Sequence, residues 1–266
     1  MALEDYIFME WTLKKINLMI IREAKLSDTV VVYWSPWQHK DIYDERYPYY
    51  KDPEKLLSYV NNFRNNDNST DTWYKCRGFM ETAKNTFVLR SPFGVDAKVD
   101  APYIRSLNTE YNVEQFDAKN PSMSNSHTVN FSVNWIFWSE EDLSITTISP
   151  YVEPLKFNGF YVPGSFNINK WFRPVEGAFQ LFPGEDRFTV DPGDPIIYIK
   201  FNTDKKVILK RFKMNEALHE SVYKCTTHKV DNPWQNLPTL YSLFTKNKWG
   251  DIIRKNILEN MEKDES

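Results

Sequence analysis

The chain has 266 residues, long enough for one large domain or two small ones to bury a core without a disulfide or metal staple. Its net charge of −3 and its scattered basic residues indicate neither a nucleic acid nor a membrane as a partner. It has only 8 glycines against 16% aromatic residues, which argues against a glycine-rich nucleotide-binding loop and favours a thick aromatic β-core.

The two cysteines and the N-terminal residues predict the cellular compartment. Cys76 and Cys225 are far apart and form no CxxC motif, which is typical of free, buried thiols in a reducing compartment. The N-terminal residues are acidic and contain no basic n-region, so we expect no secretion by a signal peptide. No apolar run approaches the roughly 18 residues of a membrane span, so the protein is predicted to be soluble.

In chain order, the first clear elements are a strand, a helix and a second strand. The β-branched and aromatic run Thr29–Trp34 predicts a buried strand. An Asp-Pro-Glu helix start is followed by apolar residues at helical spacing, so we predict a helix near residues 53–65. Phe87–Arg90 is a predicted strand that ends at a Ser-Pro pair.

The second half of the chain is predicted to form strands first and helices last. Thr128–Trp138 alternates apolar and polar residues, which indicates a strand. Across residues 162–212, short β-rich runs separated by Pro-Gly turns predict an antiparallel meander. Within it, Asn202–Lys205 has the composition of a tight hairpin loop. The spacing then becomes helical, so we predict two or three helices after residue 214.

These elements predict a mostly β (α+β) fold, an antiparallel β-sandwich or distorted jelly roll. The strand-rich block followed by a helix-rich block is what favours this class. We predict a β-sandwich domain over residues 1–213, with the one helix near 53–65 inserted in it. Residues 214–266 are predicted to form a helical C-terminal appendage packed on that domain.

Three segments of the chain look like parts of known proteins. They are KCRGFMETAKNTFVLRSPFGVD (75–96), ISPYVEP (148–154), and GSFNINKWFRPVEGAFQL with DPGDPIIYIKF (164–201). Together they resemble a family of hypothetical proteins of marine tailed phages and, more distantly, a bacterial domain family of unknown function. The resemblance implies a phage-encoded protein, present in an infected bacterium or packed in a virion. It implies no activity and no catalytic residues.

A candidate metal site involves two histidines and an aspartate. His39 and Asp41 match the His-x-Asp pair with which non-haem iron oxygenases on jelly-roll folds hold iron, and His127 is a candidate third ligand. Such a pair also arises readily by chance, so the alternative is a histidine on a surface loop. Iron is the one cofactor that this pattern suggests, and whether the protein is an enzyme stays open.

A candidate ligand pocket combines tryptophan and arginine side chains. Trp34 and Trp37 lie in the densest aromatic stretch, which is either a stacking surface or part of the core. Trp171 and Arg173 follow a turn-rich segment, and Arg90 ends a predicted strand, so the two arginines are candidates for binding a carboxylate or phosphate. Alternatively, each arginine ties a sheet edge to an acidic loop. The adjacent acids Glu140–Asp142 are expected to point in different directions into solvent.

Together these residues predict a phage-encoded accessory protein that binds a small anionic or peptide-like ligand in a β-sandwich pocket. Its enzymatic version would be a non-haem iron oxygenase. The alternative is a non-catalytic virion or host-interaction protein, whose aromatic surface and helical appendage contact a virion or host protein. In either version we expect the protein in the host cytoplasm or in the virion.

Overall fold

The computed structural model describes residues 28–37, 47–66, 73–100, 103–106, 113–116, 126–153 and 155–262, which form three β-sheets and five α-helices. The strands are β1 (Thr29–Pro36), β2 (Glu54–Lys55), β3 (Thr86–Arg90), β4 (Val95–Asp100), β5 (Tyr103–Ser106), β6 (Val113–Phe116), β7 (Thr128–Trp138), β8 (Ser144–Ile148), β9 (Gly159–Tyr161), β10 (Gly164–Asn167), β11 (Pro174–Leu181), β12 (Arg187–Val190), β13 (Pro195–Phe201) and β14 (Lys206–Arg211). The helices are α1 (Leu56–Asn66), α2 (Arg77–Ala83), α3 (Glu216–Asp231), α4 (Leu237–Lys246) and α5 (Trp249–Glu259). The fold is mostly β, as predicted.

Three sheets organise these strands. Sheet I has the order β14-β1-β7-β11-β9, with β6 also paired to β7. Sheet II has the order β10-β8-β13-β3-β2, and sheet III has the order β12-β4-β5. The β1–β14 pair is parallel, and the other pairs in the described strands are antiparallel.

Sheets I and II face each other across one aromatic core, which confirms the predicted sandwich. In β7, Trp135 and Phe137 belong to this core, and in β13 so do Ile197 and Ile199. Sheet III adds further residues to the same cluster, among them Phe188. Each large side chain that is fully buried here contributes about 1.5–3 kcal/mol relative to exposure, so this interface stabilises the fold.

Helices cover the outer faces of both sheets. In β7, Ile136 and Trp138 point away from the sandwich core and pack with residues of α3, α4 and α5. In β13, Tyr198 points to the other side of sheet II and packs with Leu56 of α1 and Ala83 of α2. The layer order is therefore helices α3–α5, sheet I, sheet II, and helices α1–α2. Because both faces of the central strands are covered, these strands are buried along both sides.

The positions of the strands in the predicted meander are correct, but their pairing is wrong. Consecutive strands of this segment do not pair with each other: β11 joins sheet I, β12 sheet III, β13 sheet II and β14 sheet I. The loop Asn202–Lys205 is therefore no hairpin, since it carries the chain from sheet II to sheet I. The two Pro-Gly turns do form where predicted, with Gly184 and Gly193 each at a φ of 88°.

The predicted helices form with one change at a boundary. The helix near residues 53–65 begins at Leu56 rather than at Pro53, because Glu54 and Lys55 first pair with Val88 and Phe87 of β3. Three helices follow residue 214, within the predicted range. The division of the chain at residue 213 stays a prediction. Among the described residues, no helix is long and apolar enough to cross a lipid bilayer.

Candidate ligand-binding site

Arg90 is surrounded by carboxylates. It ends β3 and donates to the carbonyl of Gly193 at 2.9 Å, and its guanidinium lies 4.8 Å from the ring centroid of Tyr59. Glu54 and Glu153 approach the same guanidinium at 3.6 and 3.8 Å. Burial, together with the negative charges of Asp194 and Glu54, raises the pKa of Glu153. Arg90 therefore ties the loops of Gly193 and Glu153 to sheet II in acidic surroundings, where a further anion would be repelled.

Arg173 and Trp171 lie on the side of sheet I. The Arg173 guanidinium stacks 4.6 Å from the ring centroid of Phe166, and its Nη1 lies 3.9 Å from Glu176. Its Nε is buried and has no hydrogen-bond partner in the described part of the chain. Trp171 is only 1% exposed and packs near Trp249 of α5, so its ring faces the protein interior.

Trp34 and Trp37 belong to two different packing environments. Trp34 is 1% exposed in the sandwich core, and Arg211 lies 4.8 Å from its ring centroid. Trp37 is half-buried against the cluster beneath α3–α5, and its backbone N–H donates to the carbonyl of Asn134 at 2.7 Å. The contacts of the predicted pocket residues therefore place them in several separate surroundings.

The predicted iron ligands are only partly within the described structure. His39 and Asp41 lie outside the described residues, so their convergence on His127 stays a prediction. His127 directly precedes β7, and its carbonyl accepts a hydrogen bond from Leu181 at 2.8 Å. Within the ranges that the structure describes, no three His, Cys, Asp or Glu side chains are grouped to hold a metal ion.

The three adjacent acids after β7 point in different directions, as predicted. Glu140 accepts from Nε of Arg254 at 2.6 Å, and Glu141 accepts from Lys205 at 2.6 Å. Asp142 accepts from Lys170 at 2.5 Å, which holds the pKa of its carboxyl below the usual range. Only Glu140 contacts the C-terminal helices, so it alone belongs to the site described next.

An open cavity of about 250 Å³ lies where the end of β7 meets the corner between α4 and α5. We call it the corner cavity, and its main lining residues are Trp138, Glu140, Phe244, Lys248, Asp251 and Arg254. These residues come from two distant parts of the chain, and sequence patterns drew attention only to Glu140, as one of three adjacent acids. The sequence feature that marks this corner is the polar Asn-Lys pair directly before the amphipathic residues of α5.

The corner between the two helices has an unusual backbone. Lys248 connects α4 to α5 in the left-handed conformation, with φ 53° and ψ 33°, and its N–H donates to Thr245 at 3.1 Å. This conformation costs a residue with a side chain about 1–2 kcal/mol, and glycine usually occupies it. The start of α5 has no side-chain cap, whereas Asn215 and Asn236 cap α3 and α4.

One wall of the corner cavity is fixed by hydrogen bonds. Besides the bond from Arg254, Glu140 accepts a long hydrogen bond of 3.5 Å from the hydroxyl of Tyr33. Burial and the adjacent Glu140 raise the pKa of Tyr33. Asn169 donates to the carbonyls of Ser139 and Glu140 at 2.9 and 3.1 Å, which holds the chain after β7 in place.

Several polar groups at the cavity have no partner within the described structure. The indole N–H of Trp138, on a residue that is only 2% exposed, is enclosed behind the cavity wall and makes no hydrogen bond within the described residues. A buried donor without a partner costs about 1–3 kcal/mol, so such groups are rare in folded proteins. No side-chain bond or ion pair forms within the described residues for Lys248 or Asp251 either.

Comparisons of the chain with protein-family models, with curated proteins and with solved structures gave no match. The resemblance to phage proteins therefore stays a prediction. A function for the corner cavity has to be argued from the residues that line it.

Proposed function

We propose that this protein binds a small anionic or peptide-like ligand in the corner cavity. The observation that supports this proposal most directly is the placement of two cationic side chains, Lys248 and Arg254, in the lining of the cavity. Both side chains carry donors that suit the oxygens of a carboxylate or phosphate. The cavity combines an aromatic wall, formed by Trp138 and Phe244, with charged groups that can fix the orientation of a small ligand.

Two side chains at the cavity have hydrogen-bond donors that no other described residue uses. Arg254 uses only Nε for its bond to Glu140, which leaves both terminal amino groups for a ligand. Lys248 adds an ammonium group that has no partner within the described residues. At the start of α5 the N–H of Asp251 donates to the carbonyl of Lys248 at 3.2 Å, and the positive end of the helix dipole favours an anion beside the N–H groups that precede it.

The left-handed backbone conformation of Lys248 supports a functional role for its side chain. A glycine would form the same corner without steric strain, yet this position holds a lysine at a φ of 53°. Strained residues of this kind gather at binding and active sites. The corner cavity is also favoured over the surroundings of Arg90, because two carboxylates already flank that guanidinium.

The Lys248→Gly variant separates binding from folding. We expect it to unfold at the same temperature as the wild type or higher, because glycine relieves the strain at this φ. Phenylacetate, phosphate and glycylphenylalanine at millimolar concentration serve as probes. Binding of any of them should raise the thermal midpoint of the wild type, and Lys248→Gly should lose most of that increase.

Lys255→Ala is the matched control, since Lys255 lies on α5 outside the cavity lining. It should keep the stabilisation by the probes. The proposal is rejected if no probe stabilises the wild type, or if Lys248→Gly responds as strongly as the wild type does.

A second candidate function is contact with another chain of a virion, as part of a phage-encoded accessory protein. It is favoured by three exposed apolar side chains on and just after α3: Tyr223 and Val230, each 69% exposed, and Trp234, 77% exposed. Exposed apolar patches commonly mark interaction surfaces. Peptide mass spectrometry of purified phage particles tests this version, and absence of the protein from the particles would reject it.

A further inference from the structure

We propose that α3 forms the contact between two copies of this chain, which pack antiparallel about a two-fold axis. This inference does not depend on the ligand-binding proposal. It assigns to a second copy of the chain the exposed side chains that favour the second candidate function. It follows from the spacing of the outer residues of α3, from the order of their charges, and from the surface that they would bury.

The outer face of α3 carries exposed apolar side chains. The inner face of the helix is buried beneath sheet I through residues such as Leu218 and Cys225. Tyr223 and Val230 lie away from that face and nearly in line along the helix, because seven residues make almost two full turns. Each of them is 69% exposed, and Trp234, just beyond the end of the helix, is 77% exposed. A helix with apolar residues on both faces needs a second partner for the outer one.

The spacing of these side chains is typical of a helix that packs against another helix. We call them, together with one smaller residue, the outer stripe, and its members follow one another at steps of four, three and four residues: Tyr223, Thr227, Val230 and Trp234. This alternation is that of a coiled-coil seam. Single exposed apolar side chains need no explanation, whereas an aligned row of them indicates an interaction surface.

The charges beside the outer stripe suit an antiparallel copy of the same helix. Lys224 and Asp231 each follow a stripe residue directly in sequence, so both lie on the same flank of the stripe, and both are exposed. A two-fold axis across the middle of α3 places Tyr223 of each copy beside Val230 of the other. The same axis places Lys224 of each copy beside Asp231 of the other. Asp231 forms no ion pair within the described residues, and Lys224 has only an exposed contact of 3.4 Å with Glu220.

A parallel arrangement of the two helices fits the charges less well. In a parallel pair each residue faces its own counterpart, so Lys224 would lie beside Lys224 and Asp231 beside Asp231. Like charges placed opposite each other across an interface disfavour that pairing. The antiparallel arrangement joins opposite charges on one flank and apolar side chains on the other, so the outer stripe is complementary to itself.

The surface that this contact would bury determines how tightly the copies associate. Tyr223 and Trp234 each carry about 150–250 Å² of side-chain surface, most of it exposed. With Val230 and the flanking residues of both copies, the contact buries about 1,000 Å² in total. This area lies at the lower limit of specific interfaces, so we expect a reversible dimer with a dissociation constant of about 1–100 μM.

Sedimentation equilibrium of the full chain, at concentrations on either side of that dissociation constant, tests the inference. Val230→Lys places a charge in the outer stripe near the C-terminal end of α3, where a cation suits the helix dipole and the helix stays stable. We expect this variant to weaken dimerisation at least about tenfold. Ile252→Lys is the matched control, because Ile252 is 50% exposed on a different helix, α5, and it should leave association unchanged.

Two charge variants test the antiparallel arrangement. Lys224→Glu places an acid beside Asp231 of the other copy, and Asp231→Lys places a cation beside Lys224 of the other copy. Each should weaken the dimer by about threefold to tenfold, because like charges then face each other. The double variant exchanges the two charges and makes them opposite again, so it should recover most of the lost affinity. Circular dichroism of each variant checks that α3 remains folded.

Three outcomes would overturn the inference. The first is a wild type that stays monomeric at every concentration, and the second is a dimer that Val230→Lys leaves as tight as before. The third is a double charge variant that associates no more tightly than the two single variants, because the antiparallel arrangement is part of the inference. None of these measurements involves a ligand or a phage particle, so ligand binding in the corner cavity and presence in the virion are decided by their own tests.

Discussion

Cys76 and Cys225 have the same side chain, but their pKa values shift in opposite directions because their surroundings differ. Cys76 is exposed directly before α2, and the backbone N–H groups of Phe79 and Gly78 that point at its sulfur lower its pKa. Cys225 is fully buried on α3 beneath sheet I, and burial raises its pKa to about 12. The expectation that both thiols are buried is therefore wrong for Cys76.

Iodoacetamide should distinguish the two thiols at neutral pH. The thiolate is the reactive form, so we expect Cys76 to be alkylated readily and Cys225 to remain unmodified in the native protein. Peptide mass spectrometry after timed quenching gives both rates. In concentrated urea both cysteines should react, which serves as the control. Equal rates in the native protein would contradict the packing of Cys225 under α3.

At the scale of elements, Asn85 directs the crossing of the chain from sheet II to sheet I. It sits between α2 and β3 at a φ of 55°. Its side-chain amide donates to the carbonyls of Thr203 and Lys205, both at 2.8 Å, and its side-chain oxygen accepts from Val207 at 3.4 Å. These bonds hold the loop after β13 open, so that β14 pairs with β1 rather than with β13.

We expect Asn85→Ala to lower the free energy of unfolding by about 2–4 kcal/mol, because three hydrogen bonds of about 0.5–1.5 kcal/mol each are lost. Asn85→Gly loses the same bonds but relieves the strain of the left-handed backbone, so it should be more stable than the alanine variant by about 1 kcal/mol. Urea denaturation of the three proteins measures both differences. An alanine variant as stable as the wild type would show that the loop does not depend on Asn85.

Local pattern was sufficient to predict where most strands and helices lie, but not how they pair. Alternation along Thr128–Trp138 and the helical spacing after residue 214 are properties of neighbouring residues, and both predictions are correct. Strand pairing depends on contacts such as that of Asn85 with Lys205, 120 residues away along the chain. The corner cavity could not be predicted from local sequence either, because Trp138 and Lys248 come close together only when the helices pack on sheet I. The neighbouring sequence of the predicted pocket tryptophans and arginines does not indicate which residues they contact in the folded protein.

At the scale of the whole molecule, each interface between layers contains a buried tyrosine. Tyr33 lies between sheet I and helices α3–α5, Tyr161 between the two sheets, and Tyr198 between sheet II and helices α1–α2. Burial raises the pKa of all three hydroxyls, and that of Tyr198 to about 12. The four-layer packing therefore keeps these hydroxyls neutral in the folded state at pH values where an unfolded chain would begin to ionise them.

This arrangement predicts a loss of stability in alkaline solution. A tyrosine with a folded pKa above its unfolded value of about 10 contributes its full stability below that pH, and the contribution is lost as the pH rises through the folded pKa. For Tyr198 the difference of about two units corresponds to about 2–3 kcal/mol between pH 10 and 12. Urea denaturation at about pH 8 and about pH 11 should show about half of this fall, roughly 1.4 kcal/mol, because pH 11 lies midway between the two pKa values. The Tyr198→Phe variant keeps the ring between sheet II and α1 but cannot ionise, so its stability should fall less over the same range. If the variant and the wild type lose the same free energy of unfolding over this range, ionisation of the Tyr198 hydroxyl does not cause the alkaline loss of stability.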